Sequence, residues 1–442
     1  MIERYSREAM NRVWSDPARF AQMLRVELEC QRHLIAHVSA DLQPHAESNA
    51  LALARLFSQL FESPFGPPTS DALQWVDCIR RHETTTRHET LAFLQAIEET
   101  LPELHSRLLH LGLTSSDILD TALALQLREA GLLIRSELEG VISHLELLSE
   151  THSRTLMCGR THGMVAEPTT FGFKMAGFAQ EFKRHLDRLD RAIREISVGK
   201  ISGAIGTAQF FGPQYESAVL EALALHREPF ATQVVCRDRH AAFVSTLAVL
   251  GGGIERLAVE LRHLQRSEVS EVHEGFSRGQ TGSSAMPHKK NPISSENLSG
   301  CSRLLRSYAL ASLENQALWH ERDMSHSSVE RVILPDACTI ADYALDRLSG
   351  ILKSLIVDRI QMVSTLKSNA TLAFSSQRLF ESLTAPHSFA TRQSVYEQVQ
   401  RQSFEQGSHP LPEDEWNQRS AQVLDAIQRV FQLNSQTNRK ET

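Results

Sequence analysis

Phe171, Met175, Phe178, Phe182, Leu186, Leu189, Ile193 and Ile196 recur at steps of three and four, with Arg and Asp filling positions between them. That period fits one face of an α-helix and no face of a strand, so the segment must bury a stripe along its length. Phe243, Leu247, Leu250, Ile254, Leu257, Leu261 and Leu264 repeat the pattern, and Leu345, Leu348, Leu352 and Leu355 give a shorter third copy. Long helices packed lengthwise in a bundle satisfy all three stripes. Strand signals are few, and the expected fold class is all-α. Gly251, Gly252 and Gly253 interrupt the second stripe at a cost of about 1 kcal/mol each relative to Ala. Either another helix approaches closely there or the helix breaks.

At 442 residues the chain exceeds what one hydrophobic core usually serves. The expected domains are a helical one at 1–108, the long-helix bundle at 109–356, and a small C-terminal helical domain at 357–442. The Pro-rich stretch Glu62 to Ser70 reads as a loop inside the first of these, and the polar tail from Gln432 is expected to fray. A net charge of −7 argues against a general attraction to nucleic acid or anionic membranes. Six cysteines are scattered without a CxxC pair, which points to reduced thiols in a cytoplasmic protein. The charged start MIERYSREAM carries no secretory signal, and no apolar run reads as long enough to span a bilayer.

The densest chemistry lies at Gly282 to Ile293, GSSAMPHKKNPI, where adjacent serines precede His288, Lys289, Lys290 and Asn291. Gly275, Gly279 and Gly282 let the backbone approach a ligand, while Pro287 and Pro292 stiffen the residues after them. Such a loop suits an anionic ligand; a plain surface loop between helices is the alternative. No Walker A pattern, no GxGxxG after a strand, no HExxH and no calcium loop accompany it. Neither nucleoside triphosphate hydrolysis nor metal catalysis is suggested, and no cofactor or metal is expected.

Other segments join this loop in a fixed order: MIERYS at the start, TRHE at 86–89, HLGLTSSDILDTAL at 110–123, GRTHGMVAEPTTFG at 159–172, VGKISGAIGT at 198–207, RDRHA at 237–241 and WHERDMSHSSVERVILPD at 319–336. Together they resemble the fumarase/aspartase superfamily and, within it, the adenylosuccinate lyase family. The resemblance implies a central bundle that assembles into a homotetramer, with each active site built from three subunits. It implies a small-molecule substrate, adenylosuccinate or its succinylated imidazole precursor, cleaved to release fumarate.

Elimination across a Cα–Cβ bond beside a carboxylate must remove a weakly acidic Cβ proton, hold the carbanion and protonate the leaving nitrogen. That calls for a base, a clamp and an acid. Ser283 is the candidate base, its alkoxide stabilised by loop amides and Lys289. The residues alone leave Ser284 equally placed; the resemblance favours Ser283 and puts Ser284 at the substrate. His162 is the candidate acid, because histidine titrates near neutrality. It precedes Glu167-Pro168-Thr169-Thr170, which reads as a helix start, so a histidine merely bonded in a helix entrance is the plainer alternative. His88 is assigned to the substrate's reacting end, for charge placement or for proton transfer. Glu296 either polarises a nearby histidine or is a first-turn carboxylate favoured by the helix dipole.

Ser327 and Arg331, four apart, would share a helical face, and with Arg322 they suit a phosphate. A solvated face pairing with Glu321, Asp323 and Glu330 is the alternative. By resemblance these three, with Arg4 and Tyr5, match phosphate contacts. Thr114, Ser115, Gln233, Lys289 and Asn291 match positions holding the succinyl carboxylates and the leaving portion. Arg87, His88 and Glu89 match a substrate-binding triplet; Thr161, beside His162, is counted with these contacts, and His110 is a further match.

Val165 stands where a histidine is common, Leu111 where an aromatic is frequent, and Glu89 where aspartate is usual. Beyond about Ser376 the resemblance is weak. The alternatives to the expected activity are another superfamily lyase or cycloisomerase, of argininosuccinate or carboxymuconate type, and a non-catalytic crystallin-like relative.

Overall fold

The computed structural model describes residues 2–276, 286, 288–386 and 390–441, with backbone alone from 435 onward. Among these the fold is all-α apart from three two-stranded pairs. The longest helices are Ser115–Thr151, Phe171–Ile196, Asp238–Leu264, Ile293–Glu314, Ser325–Ser354 and Glu413–Glu441. Each apolar stripe lies in one of them: the first fills Phe171–Ile196, the second lies in Asp238–Leu264, and the third occupies the end of Ser325–Ser354 except for Leu355, one residue past it. Phe171, Phe182, Phe243, Leu247, Leu345 and Leu348 are fully buried.

The helix Asp238–Leu264 runs unbroken through its three glycines. A Cβ on Gly251 would lie 2.9 Å from Leu305 Cδ1 and 3.6 Å from Ser302 Cα. Close approach by the helix Ile293–Glu314 therefore explains that glycine, and the expected alternative of a break does not hold. This helix also corrects the expectation about apolar runs. It contains an 18-residue window of mean hydropathy 1.4 with at most two charged residues, long and apolar enough to cross a membrane, and half of that window is buried inside the protein. A core helix reads this way because it is covered on most sides.

The chain divides into two compact units whose residues interleave: Met1–Leu138, His185–Gly252 and Gly300–Asp346 in the first, and Glu139–Arg184, Gly253–Ser299 and Arg347–Thr442 in the second. In the first unit, Ser15 and Thr69 cap the helices Asp16–Leu34 and Ser70–Thr86 by accepting the Ala18 and Ala72 amides. Phe20 and Trp75 both pack against Phe93 in the core. The Pro-rich stretch lies between the helices Gln43–Leu60 and Ser70–Thr86, closed by a 2.8 Å bond from Thr69 Oγ1 to the Leu60 carbonyl.

In the second unit the strands Leu156–Thr161 and Met164–Thr170 form an antiparallel hairpin. Leu156 and Cys158 anchor it on Leu366, Ala370, Phe374 and Trp416. The hairpin overturns the helix start expected at Glu167–Thr170. Pro168 lies on a strand opposite Cys158, and the helix begins at Phe171, with Thr170 Oγ1 accepting the Phe173 amide at 3.1 Å. The two threonines that suggested a cap also favour a strand. The tail from Gln432, expected to fray, continues as helix to Glu441.

Candidate active site

Arg87, His88 and Glu89 form the junction of two helices. Arg87 ends Ser70–Thr86 in the left-handed region at φ +51° and donates its amide to Glu83. His88 is the N-cap of Glu89–Thr100, its Nδ1 accepting the Leu91 amide at 3.3 Å. With Nδ1 committed as acceptor, the neutral ring carries its proton on Nε2. That nitrogen lies 3.5 Å from Ser115 Oγ.

Ser115 opens the helix Ser115–Thr151, and a buried ion pair fixes its start. Asp117 Oδ2 accepts the Thr114 amide at 2.8 Å, and the same carboxylate accepts the Ser202 and Gly203 amides. Lys200 Nζ bonds Asp117 and donates to the Gly203 carbonyl at 3.1 Å, with both side chains fully buried. Every charge here has a partner, as a buried pair requires. The segments 110–123 and 198–207 are thus joined beneath Thr114 and Ser115. His110, at φ +55°, donates its amide to the buried Glu27 at 2.8 Å, and its Nδ1 lies 3.3 Å from the same carboxylate.

A cavity of about 350 Å³ in the first unit gathers Arg322, Ser327 and Arg331, as their spacing predicts, together with Glu89, Glu330 and the unanticipated Arg19, Asp120 and Arg237. Arg322 Nη1 donates to Gln233 Oε1 at 3.0 Å, so Gln233 joins the group. Arg331 bonds Glu89 at 2.8 Å. Two of the three expected alternative partners are otherwise engaged: Asp323 accepts the Trp319 and Ser325 amides, and Glu330 bonds Arg237 at 2.9 Å. Arg237 also holds Asp120 through both terminal nitrogens, at 2.7 and 3.0 Å. Burial pushes the Glu330 carboxyl up to about 7 against the pull of Arg237. Asp120 is held down at about 2, because Arg237 and the Val235 amide outweigh its burial. Burial, and then Arg237, lowers His326 to about 4, so this cavity histidine is neutral near pH 7. Arg4 and Tyr5 are not among the lining residues; Tyr5 packs on Tyr343 with ring centroids 5.3 Å apart.

The second unit holds the other candidates. Thr161 and Met164 pair across the hairpin, leaving His162 and Gly163 as a two-residue turn at φ +55° and +79°. Positive φ at both positions is the type I′ geometry that suits the twist of a hairpin. His162 therefore stands exposed at the tip rather than in a helix entrance. Lys289, Asn291 and Glu296 line a second cavity with Arg262, His263, Arg266, His273 and His288. Buried Glu274 accepts the Ser294 and Ser295 amides at the start of Ile293–Glu314, and Glu296 lies in the first turn of that helix. Ser283 and Ser284 lie outside the described residues.

Away from both cavities, Cys78, His82 and Glu99 bring potential ligand atoms within 4.8 Å of one another. The Arg81 guanidinium is already part of that cluster, 3.0 Å from Cys78 Sγ and 2.7 Å from Glu99. Of the residues that sequence reasoning missed, Arg237 lies in the RDRHA match and Asp120 in the SSDILD run. Arg19 carried no signal beyond its type.

The sequence profile of the family described as Lyase matches residues 78–305. The chain is 42% identical over 407 residues to an adenylosuccinate lyase of Thermotoga maritima, covering 91% of this chain and 88% of the relative. It is 41% identical to an adenylosuccinate lyase of Bacillus subtilis, covering 93% and 90%. Among solved structures it resembles a fumarate lyase from Mesorhizobium sp. BNC1, with TM-score 0.78 at 24% identity, covering 92% of this chain and 89% of that one. It also resembles a 3-carboxy-cis,cis-muconate lactonizing enzyme from Pseudomonas putida, with TM-score 0.76 at 25% identity, covering 92% and 88%. The structural matches share the fold, whereas the sequence matches are far closer and span nearly the whole chain. The chain belongs to the adenylosuccinate lyase family of carbon–nitrogen lyases, within the fumarase/aspartase superfamily.

Proposed function

We propose that the chain eliminates fumarate from adenylosuccinate to give AMP, and from succinylated aminoimidazole carboxamide ribotide to give the free amide, in purine nucleotide biosynthesis. Kinship with adenylosuccinate lyases over nine-tenths of the chain carries this reading. The cavity that gathers Arg322, Ser327 and Arg331 supports a phosphate-bearing substrate over an argininosuccinate or a lactone.

In this reading Ser283, as alkoxide, takes the Cβ proton, and the electron pair passes into the adjacent carboxylate. Lys289 and loop amides hold that charge where it develops. The pair then forms the carbon–carbon double bond as the Cα–N bond breaks, and His162 gives its proton to the departing nitrogen. His88, with Nδ1 held by the Leu91 amide, donates a hydrogen bond from Nε2 at the reacting end beside Ser115. Because Nδ1 is taken by the Leu91 amide, Nε2 is the nitrogen left to face the substrate, which suits a fixed hydrogen-bond donor.

The working form in this proposal is a cytoplasmic homotetramer with sites shared among three subunits. The exposed position of His162 at a hairpin tip supports this, as do bare apolar side chains such as Phe230, 90% exposed, and Trp319, 78% exposed. The test is to supply adenylosuccinate to the purified protein and measure both products. Equal release of AMP and fumarate is expected; no release from either purine intermediate would end the substrate assignment.

A further inference from the structure

Arg19 sits in the first turn of the helix Asp16–Leu34, where the helix dipole disfavours a cation. Its partners explain it: it bonds Asp16 at 3.1 Å and also bonds Glu89 Oε1. The other oxygen of Glu89 takes Arg331 at 2.8 Å. Glu89 is 8% exposed and lies between two guanidiniums, while the Arg331 side chain is 62% exposed. All three line the cavity that holds Arg322 and Ser327.

The charges around that cavity depend on Arg19. An isolated Glu89–Arg331 pair has no net charge, and an incoming anion would meet a carboxylate already seated on the guanidinium. With Arg19 the three groups carry one positive charge. Asp16 is shared with Arg80 at 2.6 Å, and the Asp77 that also bonds Arg80, at 3.1 Å, is exposed and outside the cavity lining, so within the cavity Asp16 is only half engaged by Arg19. Arg237 adds no positive charge, since two carboxylates, Asp120 and Glu330, are paired to its one guanidinium. We propose that Arg19 is a positioning residue that neutralises Glu89, so that Arg331 keeps its charge for the substrate's phosphate. The inference rests on reading Arg322, Ser327 and Arg331 as the phosphate contacts.

The experiment compares inhibition constants of AMP, inorganic phosphate and fumarate against adenylosuccinate turnover, in wild type and in Arg19→Gln, Glu89→Gln, the double variant and Arg331→Ala. Arg19→Gln should weaken AMP and phosphate by about tenfold or more while leaving fumarate within about twofold, because only the phosphate end loses charge complementarity. Adding Glu89→Gln should restore most of the loss, since the unpaired carboxylate is gone. Glu89→Gln alone, a near-isosteric change that decides the matter even if Arg19→Gln does not fold, should tighten phosphate. Unchanged phosphate inhibition in Arg19→Gln, a double variant no better than the single, or weaker phosphate binding in Glu89→Gln would each overturn the role of Arg19. If Arg331→Ala also leaves AMP and phosphate inhibition unchanged, the phosphate reading fails too. A loss in Arg331→Ala with none in Arg19→Gln rejects the role of Arg19 alone.

Discussion

His88 presents Nε2 to Ser115 Oγ at 3.5 Å because its other ring nitrogen is committed to the amide of the next helix. One side chain thus starts a helix and fixes its own tautomer. Asparagine is also a good N-cap but lacks the distal nitrogen. His88→Asn should therefore cut kcat/KM by about a hundredfold or more while leaving the urea midpoint nearly unchanged. His88→Ala should lose the same activity and also about 1 kcal/mol of stability. Near-normal kcat/KM in His88→Asn would show that His88 serves only the fold.

Arg331 distinguishes a phosphate clamp from a surface ion pair. As a clamp, Arg331→Ala should lose roughly 2 to 5 kcal/mol of transition-state binding, read from kcat/KM. As a mostly exposed guanidinium that serves only to pair with Glu89, itself also held by Arg19, it should lose under about 1 kcal/mol. Efficiency close to wild type would remove Arg331 from the site.

Ser283→Ala and His162→Ala should each lower turnover by at least about a hundredfold without unfolding the protein, as expected for an acid and a base. Mixed under conditions where subunits exchange, the two inactive variants should recover part of the activity through hybrid tetramers. Inactivity of every mixture, with exchange demonstrated by mass, would mean that both residues serve a site within one chain.

Glu330 predicts a pH signature. Its carboxyl stands at about 7 in the folded chain against an ordinary 4.5. A raised value means that folding takes up a proton between those limits, so the contribution is full below 4.5 and is lost as pH rises through 7. Denaturant titrations should show the advantage of wild type over Glu330→Gln shrinking across that window by on the order of 3 kcal/mol. Comparing the two proteins cancels the opposing slope from His326, whose value is lowered. A constant difference would mean that Glu330 is charged throughout.

Much of the helical fold was legible because period is a local property: the stripe from Phe171 to Ile196 begins and ends with its helix. The spacing of Ser327 and Arg331 likewise placed both at one cavity. The hairpin carrying His162 was misread because Pro168 and two threonines signal a helix start as readily as a strand, and the pairing of Met157 with Thr169 that decides it is not local. Arg19 and Asp120 were silent for a similar reason. Their meaning lies in partners 70 to 117 residues away, such as Glu89 for Arg19 and Arg237 for Asp120. Gly251 was legible as an anomaly, but only Leu305 explains it.

Substrate choice is tested most directly by kcat/KM for adenylosuccinate, argininosuccinate and a carboxymuconate under identical conditions. Efficient turnover of adenylosuccinate is expected, with at least about a thousandfold less for the others, since a substrate without phosphate forgoes the contacts to Arg322, Ser327 and Arg331 that a site built for it supplies. Efficient turnover of argininosuccinate or the carboxymuconate, with adenylosuccinate untouched, would contradict the assignment.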